Sequence, residues 1–316
     1  MSAPKRVLLL ANPKSGRAAQ GLEMALCALR DHHIAVEQRA PGSAEELDAT
    51  IRAEGPAFDA IVVAGGDGTV NAAAAAVAAI GRPLAVLPFG TANDFAHTLG
   101  IPIDPGAAAA LVADGTTRRI DLGRANDRVF LNAASLGLPV TVTERQDPVL
   151  KRILKSFSYV VATMKAVRET RRFTVWITVD GQRTELKAVQ VTVGNGVRFG
   201  GGMRVGAAPA IDDGLLDVFA VEAETLLDLA RIAGAVRLGL HEDDPHLHTF
   251  RGRDVRIETK REMPISTDGD ITTTTPCDFS VERGALEVFV PEGPVAPDRF
   301  ARPAWATRRR QAAGAA

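Results

Sequence analysis

Three glycines, a carboxylate and a hydroxyl follow one another in Gly65-Gly66-Asp67-Gly68-Thr69, directly after the apolar run Ala60-Ile61-Val62-Val63-Ala64. Glycines open backbone angles closed to other residues and put no side chain over a loop, so several N–H groups can point at one anion. Val70, Asn71 and the Ala-rich stretch 72–80 come next, and a helix beginning there adds its partial positive charge. That chemistry is phosphate binding. Neither G-x4-G-K-[ST] nor G-x-G-x-x-G occurs, so the common nucleotide loops are not matched. A plain strand-to-helix turn with Asp67 as N-cap accounts for the same residues, and both readings stand at this point.

The elements that must position this loop can be read from apolar patterning. Ala60 to Ala64 and Val7-Leu8-Leu9-Leu10-Ala11 are continuous apolar runs without alternation, as in strands buried on both faces of a parallel sheet. Residues 34–36 and 83–87 give two more strands. Helices are expected over 18–30, where Leu22, Ala25, Leu26 and Leu29 recur at helical spacing, and after Ser43, where Glu46 completes a capping box. Strands alternating with helices mean βαβ units, whose ligands gather at the carboxyl ends of the strands. The loops 12–17, 64–69 and 88–94 therefore line one crevice.

At 316 residues the chain suits two domains. A net charge of -1 and a charged content of 24% give no basic field for nucleic acid. Cys27 and Cys277 supply neither a disulfide framework nor zinc spacing, so a reducing cytoplasm is the expected home. Val7 to Ala11 is too short for a signal peptide's apolar region, and no apolar run approaches the ~20 residues that span a bilayer. Any membrane contact is expected to be peripheral.

Asn12-Pro13-x-Ser15-Gly16, Gly65-Gly66-Asp67-Gly68-Thr69 and Pro88-x-Gly90-Thr91-x-Asn93-Asp94-Phe95-Ala96 together resemble the successive signatures of the diacylglycerol kinase catalytic-domain family. The central loop alone is shared with NAD kinases, whereas the third signature is specific to the lipid-kinase branch. The resemblance implies an ATP- and Mg²⁺-dependent lipid kinase: an α/β, parallel-sheet, three-layer nucleotide-binding domain (1–122), an antiparallel β-sandwich-like lipid domain (123–290) and a tail (291–316) that partly packs back. Diacylglycerol is the default substrate. Asn12, Ser15, Gly16, Gly65, Gly66, Asp67, Gly68, Thr69, Asn71, Thr91 and Asn93 are the candidate ATP-binding residues. Asp67 is explained by Mg²⁺ lying between its carboxylate and the phosphates. Asn93 and Asp94 either join that network or cap the next helix.

After Asp121-Leu122-Gly123, a further signature, the chain becomes strand-rich. Asp121 either reaches the metal site or is a turn carboxylate at a domain hinge. Residues 173–179, Asp180-Gly181 and residues 184–193 read as a hairpin, and strands are expected at 215–221, 255–259, 278–282 and 286–290. Runs of strands indicate an antiparallel sandwich. Residues 151–172 form an amphipathic basic helix whose polar face is either simply solvated or held near anionic lipid headgroups; 224–240 is a second amphipathic helix.

Val193-Gly194-Asn195-Gly196, Gly200-Gly201-Gly202-Met203 and Pro209-Ala210-x-x-Asp213-Gly214-Leu215 match further signatures. By analogy with bacterial members, the last would hold a structural Mg²⁺ through Asp213 and the carbonyls of Ala210 and Leu215; an Asp-Gly turn explains it equally. In Thr267-Asp268-Gly269-Asp270 the resemblance assigns the base that accepts the hydroxyl proton to Asp270, with Asp268 as neighbour, where the family reads Asp-Gly-Glu. Ala72 stands where the family commonly has Glu. The alternatives are a NAD kinase and, because of Ala72 and the shortened Asp270, a non-catalytic lipid- or nucleotide-binding regulator. The His241 to His248 segment is interrupted by Pro245 and reads as an exposed loop. A homodimer is left open.

Overall fold

The computed structural model describes residues 6–12, 16–114, 116–137, 172–196, 198–199, 203–204, 210–223, 228, 231–232 and 246–293. Ser15, the basic segment 151–171, most of 224–240, Gly200 to Gly202, Pro209 and the tail beyond 293 lie outside the described residues.

Strands β1 (Arg6–Ala11), β2 (Ala35–Arg39), β3 (Ala60–Gly65) and β4 (Leu84–Pro88) run parallel in the order β2-β1-β3-β4. Val7 to Ala11 and Ala60 to Ala64 are buried along their whole length, as unalternating apolar runs require when both faces are covered. The cover is α1 (Gly16–Asp31), α2 (Ala44–Glu54), α3 (Asp67–Ile80), α4 (Asp94–Leu99) and α5 (Pro105–Asp114). Parallel crossovers are right-handed. The step from β1 out to β2 and the steps from β2 back to β3 and β4 therefore put α1 on one face and α2 and α3 on the other. In keeping with this, α1 packs on α5 and α2 on α3. Buried Ala73, Ala74, Ala76 and Val77 give α3 a close-fitting face. Ser43 is the N-cap of α2 and its side chain accepts from the Glu46 N–H, while Glu46 Oε2 accepts from the Gly42 N–H at 2.6 Å. The direction of the chain reverses between β1 and β3, which makes a crevice at their carboxyl ends.

The remaining strands are β5 (Thr117–Ala125), β6 (Arg128–Phe130), β7 (Ala133–Gly137), β8 (Phe173–Val179), β9 (Gln182–Ala188), β10 (Gln190–Gly194), β11 (Arg198–Phe199), β12 (Met203–Arg204), β13 (Leu216–Val221), β14 (Leu247–Gly252), β15 (Val255–Thr259), β16 (Pro264–Thr267), β17 (Asp270–Thr274) and β18 (Cys277–Phe289). Among the described residues, one antiparallel sheet has the order β14-β13-β10-β7-β16-β17, and it faces β18, β15, β8 and β9, which extend the first sheet. Leu136, Val175, Ile177, Val191, Val193, Val218, Ile257 and Phe279 fill the space between. This is the expected sandwich. Among the described residues no helix is long and apolar enough to cross a membrane.

Three expected strands differ. The run 184–193 breaks at Val189, where the chain leaves β9 for β10 in the other sheet; both halves are strand-forming, so only the tertiary context separates them. The strands expected at 278–282 and 286–290 are one strand, β18, with an irregularity between Glu282 and Leu286. Its first part pairs with β15, whereas Val288 pairs in parallel with Leu84 of β4, and β5 runs antiparallel along both parts. Leu286, Val288 and Phe289 accordingly pack in the first core. The two cores are joined through β5, which continues across the division at 122, and through β18, whose Phe279 packs in one core and whose Leu286, Val288 and Phe289 pack in the other.

Candidate active site

β3 delivers the chain to Gly66, the N-cap of α3, in extended conformation (φ -93°, ψ -177°), and Asp67 is the first helical residue. Asp67 does not cap its own helix. Its Oδ1 accepts the Phe95 N–H at 3.1 Å, so it caps α4 from outside. The N–H groups of Thr69 and Val70 both donate to Gly66 O, at 3.0 and 3.1 Å. Those of Asp67 and Gly68 remain as the donors a helix start leaves without intrahelical acceptors.

The 88–96 segment is welded to this loop. Phe89 N–H donates to Gly65 O at 2.9 Å. Asn93 takes a left-handed conformation (φ 52°) and folds back on Gly90, accepting its N–H at 2.9 Å and donating to its carbonyl at 3.1 Å. Gly66 and Gly90 touch backbone to backbone: a Cβ on Gly90 would lie 2.6 Å from Gly66 Cα and 2.6 Å from Asn93 Oδ1. No larger residue fits there without parting the loops.

The crevice between β1 and β3 is a cleft of about 510 Å³ with Asn12, Gly65, Gly66, Gly68 and Thr69 in its wall. Ala72, the departure from the family pattern, lies in the wall as well. Thr91, Asn93 and Asn71 do not line it. Thr91 is exposed, Asn93 shapes the loop, and Asn71 presents a buried Oδ1 that has no hydrogen-bond partner. Asn12 donates to Pro41 O at 3.0 Å, and Gly16 begins α1. Sequence reasoning missed Pro41, Gly42, Ser43 and Leu47, which close the cleft from the β2 side. The signal was the capping box, which marks a second helix N-terminus at a carboxyl strand end. That terminus is occupied by its own side chains: Glu45 is held below the ordinary carboxylate range by its backbone N–H and by Ser43.

Further predicted site residues lie on the β16–β17 hairpin. Asp268 and Gly269 form its two-residue turn, both with positive φ (47° and 102°), as the tightest hairpins require. The Asp268 carboxylate is half-buried and accepts three backbone N–H groups, from Leu131 at 2.7 Å, Asn132 at 2.9 Å and Ala133 at 3.0 Å. Burial raises its pKa from 3.8 to about 6 against those bonds, and the charge of Asp67 adds to the rise. Asp67, at the start of α3, and Asp268, in the β16–β17 turn, thus interact electrostatically. Asp270 follows, exposed, at the start of β17.

Asp121 lies within β5 rather than in a turn. It accepts the Gly214 N–H at 2.6 Å and the Gly284 N–H at 2.7 Å. Asn195 Nδ2 bridges the carbonyls of Asp121 (2.9 Å) and Leu131 (3.0 Å). Asn132 is also buried, an amide that sequence reasoning missed although it is a lone polar residue between Leu131 and Ala133. Asp213 accepts the Leu215 N–H at 3.0 Å and forms an ion pair with Arg251; Ala210 and Leu215 flank it, half-buried. Among the described residues no group of three or more His, Cys, Asp and Glu could hold a metal ion.

The diacylglycerol kinase catalytic domain family matches residues 6–125, and the family described as the YegS C-terminal NAD kinase beta sandwich-like domain matches residues 132–290. The chain is 31% identical over 296 residues to a diacylglycerol kinase of Bacillus subtilis (strain 168), covering 91% of this chain and 97% of that one. It is 34% identical over 239 residues to a protein named as a YegS-like lipid kinase of Pseudomonas aeruginosa, covering 75% of this chain and 78% of that one. A solved structure of a diacylglycerol kinase from Bacillus anthracis str. Sterne superposes with a TM-score of 0.73 at 26% identity, covering 92% of this chain and 99% of that one.

Proposed function

Because this chain belongs to the diacylglycerol kinase catalytic-domain family, we propose that it is a lipid kinase that transfers the γ-phosphoryl group of ATP to the hydroxyl of a diacylglycerol-like lipid. The observation that carries this reading is the cleft of about 510 Å³ lined by Gly65, Gly66, Gly68 and Thr69 at the start of α3; the charge of Asp67 is also felt at Asp268. Residues 1–122 then serve as the ATP-binding part and 123–290 as the lipid part.

The N–H groups of Asp67 and Gly68 and the Thr69 hydroxyl hold phosphate oxygens, in the positive end of α3. The nucleoside lies against Pro41, Leu47, Ala72 and Phe89, which line the cleft. The like charges of Asp67 and Asp268 repel each other and the phosphates, and hard oxygen donors of this kind suit Mg²⁺. When bound, Mg²⁺ supplies charge compensation for the transferred phosphoryl group. The lipid oxygen attacks the γ-phosphorus as the bond to the β–γ bridging oxygen breaks and ADP leaves. The hydroxyl proton passes to a carboxylate. Asp268 has both oxygens committed to the backbone of residues 131–133 and acts as a positioning group, so the exposed Asp270 is the acceptor of the proton. The lipid brings the chain to a membrane surface during turnover.

The experiment is transfer from labelled ATP with Mg²⁺ into mixed micelles carrying diacylglycerol, monoacylglycerol, sphingosine, ceramide or phosphatidylglycerol, with NAD in a parallel tube and Asp270→Ala as control. Label entering one lipid, and lost in the variant, establishes the reaction and names the acceptor. Label entering NAD overturns it. ATP binding without label in any acceptor turns the reading to a regulator.

A further inference from the structure

The segment 212–217 carries three carboxylates, and each meets an arginine from a neighbouring strand. Arg118 of β5 donates to Asp212 through Nε at 2.7 Å. Arg251 of β14 pairs with Asp213, and its Nε lies 3.4 Å from Asp217 Oδ1. Register fixes this second arrangement, because Asp217 and Arg251 are direct partners across β13 and β14. The guanidinium therefore starts beside one carboxylate and reaches back to the other.

This is the turn for which family resemblance implied a structural Mg²⁺. Such an ion asks for near-octahedral oxygen ligands at about 2.0–2.1 Å. Here the donors at the turn face the other way. Leu215 turns its N–H to Asp213 Oδ1 at 3.0 Å, closing an Asx turn, and Gly214 gives its N–H to Asp121 at 2.6 Å. The other oxygen of Asp213 is held by a guanidinium, whose charge repels a divalent ion. The residues as they stand do not fit Mg²⁺. We infer that Arg251 is the resident cation of this turn: the chain keeps the carboxylates and neutralises them with an internal arginine, whose planar fork can span two of them. The turn then keeps its hydrogen bond to Asp121 of β5 without a metal. The inference does not depend on the proposed reaction.

The test is thermal unfolding of the full chain without nucleotide, in EDTA and in millimolar Mg²⁺, for the wild type, Arg251→Met and Asp213→Asn. Methionine keeps the apolar stem and removes the charge. The wild type is expected to unfold at the same temperature in both buffers, and Arg251→Met to unfold several degrees lower. Arg251→Lys, which keeps the charge, is expected to recover part of the loss. A wild-type midpoint that falls in EDTA, with the fall abolished by Asp213→Asn, overturns the inference, because the turn then holds a divalent ion despite Arg251. An Arg251→Met midpoint equal to that of the wild type overturns it as well.

Discussion

Asp67 and Asp268 lie far apart in the chain and belong to different sheets, yet the charge of the first raises the proton affinity of the second. Asp67 opens α3 in the parallel-sheet domain, and Asp268 turns the β16–β17 hairpin of the sandwich. Each is also a backbone clamp: Asp67 holds the Phe95 N–H, and Asp268 holds three N–H groups at residues 131–133. A site assembled from such clamps is preorganised, since its carboxylates cannot move without breaking buried hydrogen bonds.

Asp268 makes stability pH-dependent. Its carboxyl ionises near 3.8 when unconstrained and near 6 in the fold, chiefly through desolvation. Between those values the native chain binds more protons than the unfolded one. The stability tied to this group is therefore full below about pH 4, falls by about 3 kcal/mol as pH rises to 6, and is flat above. Urea unfolding across this range should show the fall in the wild type and its loss in Asp268→Asn.

Asp67→Asn is expected to leave the fold intact, because the amide oxygen can still accept the Phe95 N–H, which Asp67 Oδ1 now accepts at 3.1 Å. Phosphoryl transfer should fall about 10²-fold or more, the scale for removing a charge-stabilising group at a reacting centre. Single-turnover transfer measured beside the thermal midpoint separates the two effects. A variant that is stable and fully active would contradict the role given to Asp67.

Gly90→Ala should part the two loops. The added Cβ would sit 2.6 Å from Gly66 Cα, a backbone atom that cannot rotate away. Overpacking of this kind costs about 1–3 kcal/mol, and the start of α3 moves with it. Titration calorimetry is expected to read weaker ATP binding in this variant, whereas Gly68→Ala, with nothing near its added Cβ, should retain the fold.

Asp121→Ala removes the acceptor of two N–H groups, those of Gly214 and Gly284. Leaving buried donors unsatisfied costs about 1–3 kcal/mol each. A loss of about 2–4 kcal/mol in denaturant unfolding is expected, a large share of the margin of an ordinary domain. A loss below about 1 kcal/mol would show that water replaces the carboxylate.

The local elements and the glycine-rich start of α3 were legible in the residues alone. Apolar runs without alternation mark β1 and β3, and the Asp-Gly pairs at 180–181 and 268–269 both form hairpin turns. These signals are local: burial on both faces, helix capping and positive φ are each written within a few residues. Tertiary structure decided the rest. That Val288 lies beside Leu84, that 184–193 breaks between two sheets, and that Arg251 serves Asp213 all depend on strand partners distant in the chain. The same holds for the roles of the polar residues. Asn93 and Asp121 carry donors and acceptors suited equally to a ligand or to the backbone, and only the fold, by presenting backbone N–H and carbonyl groups to them, commits them to the second. Side-chain chemistry limits what a residue can bind, and the neighbours that packing brings within about 3 Å select among those options.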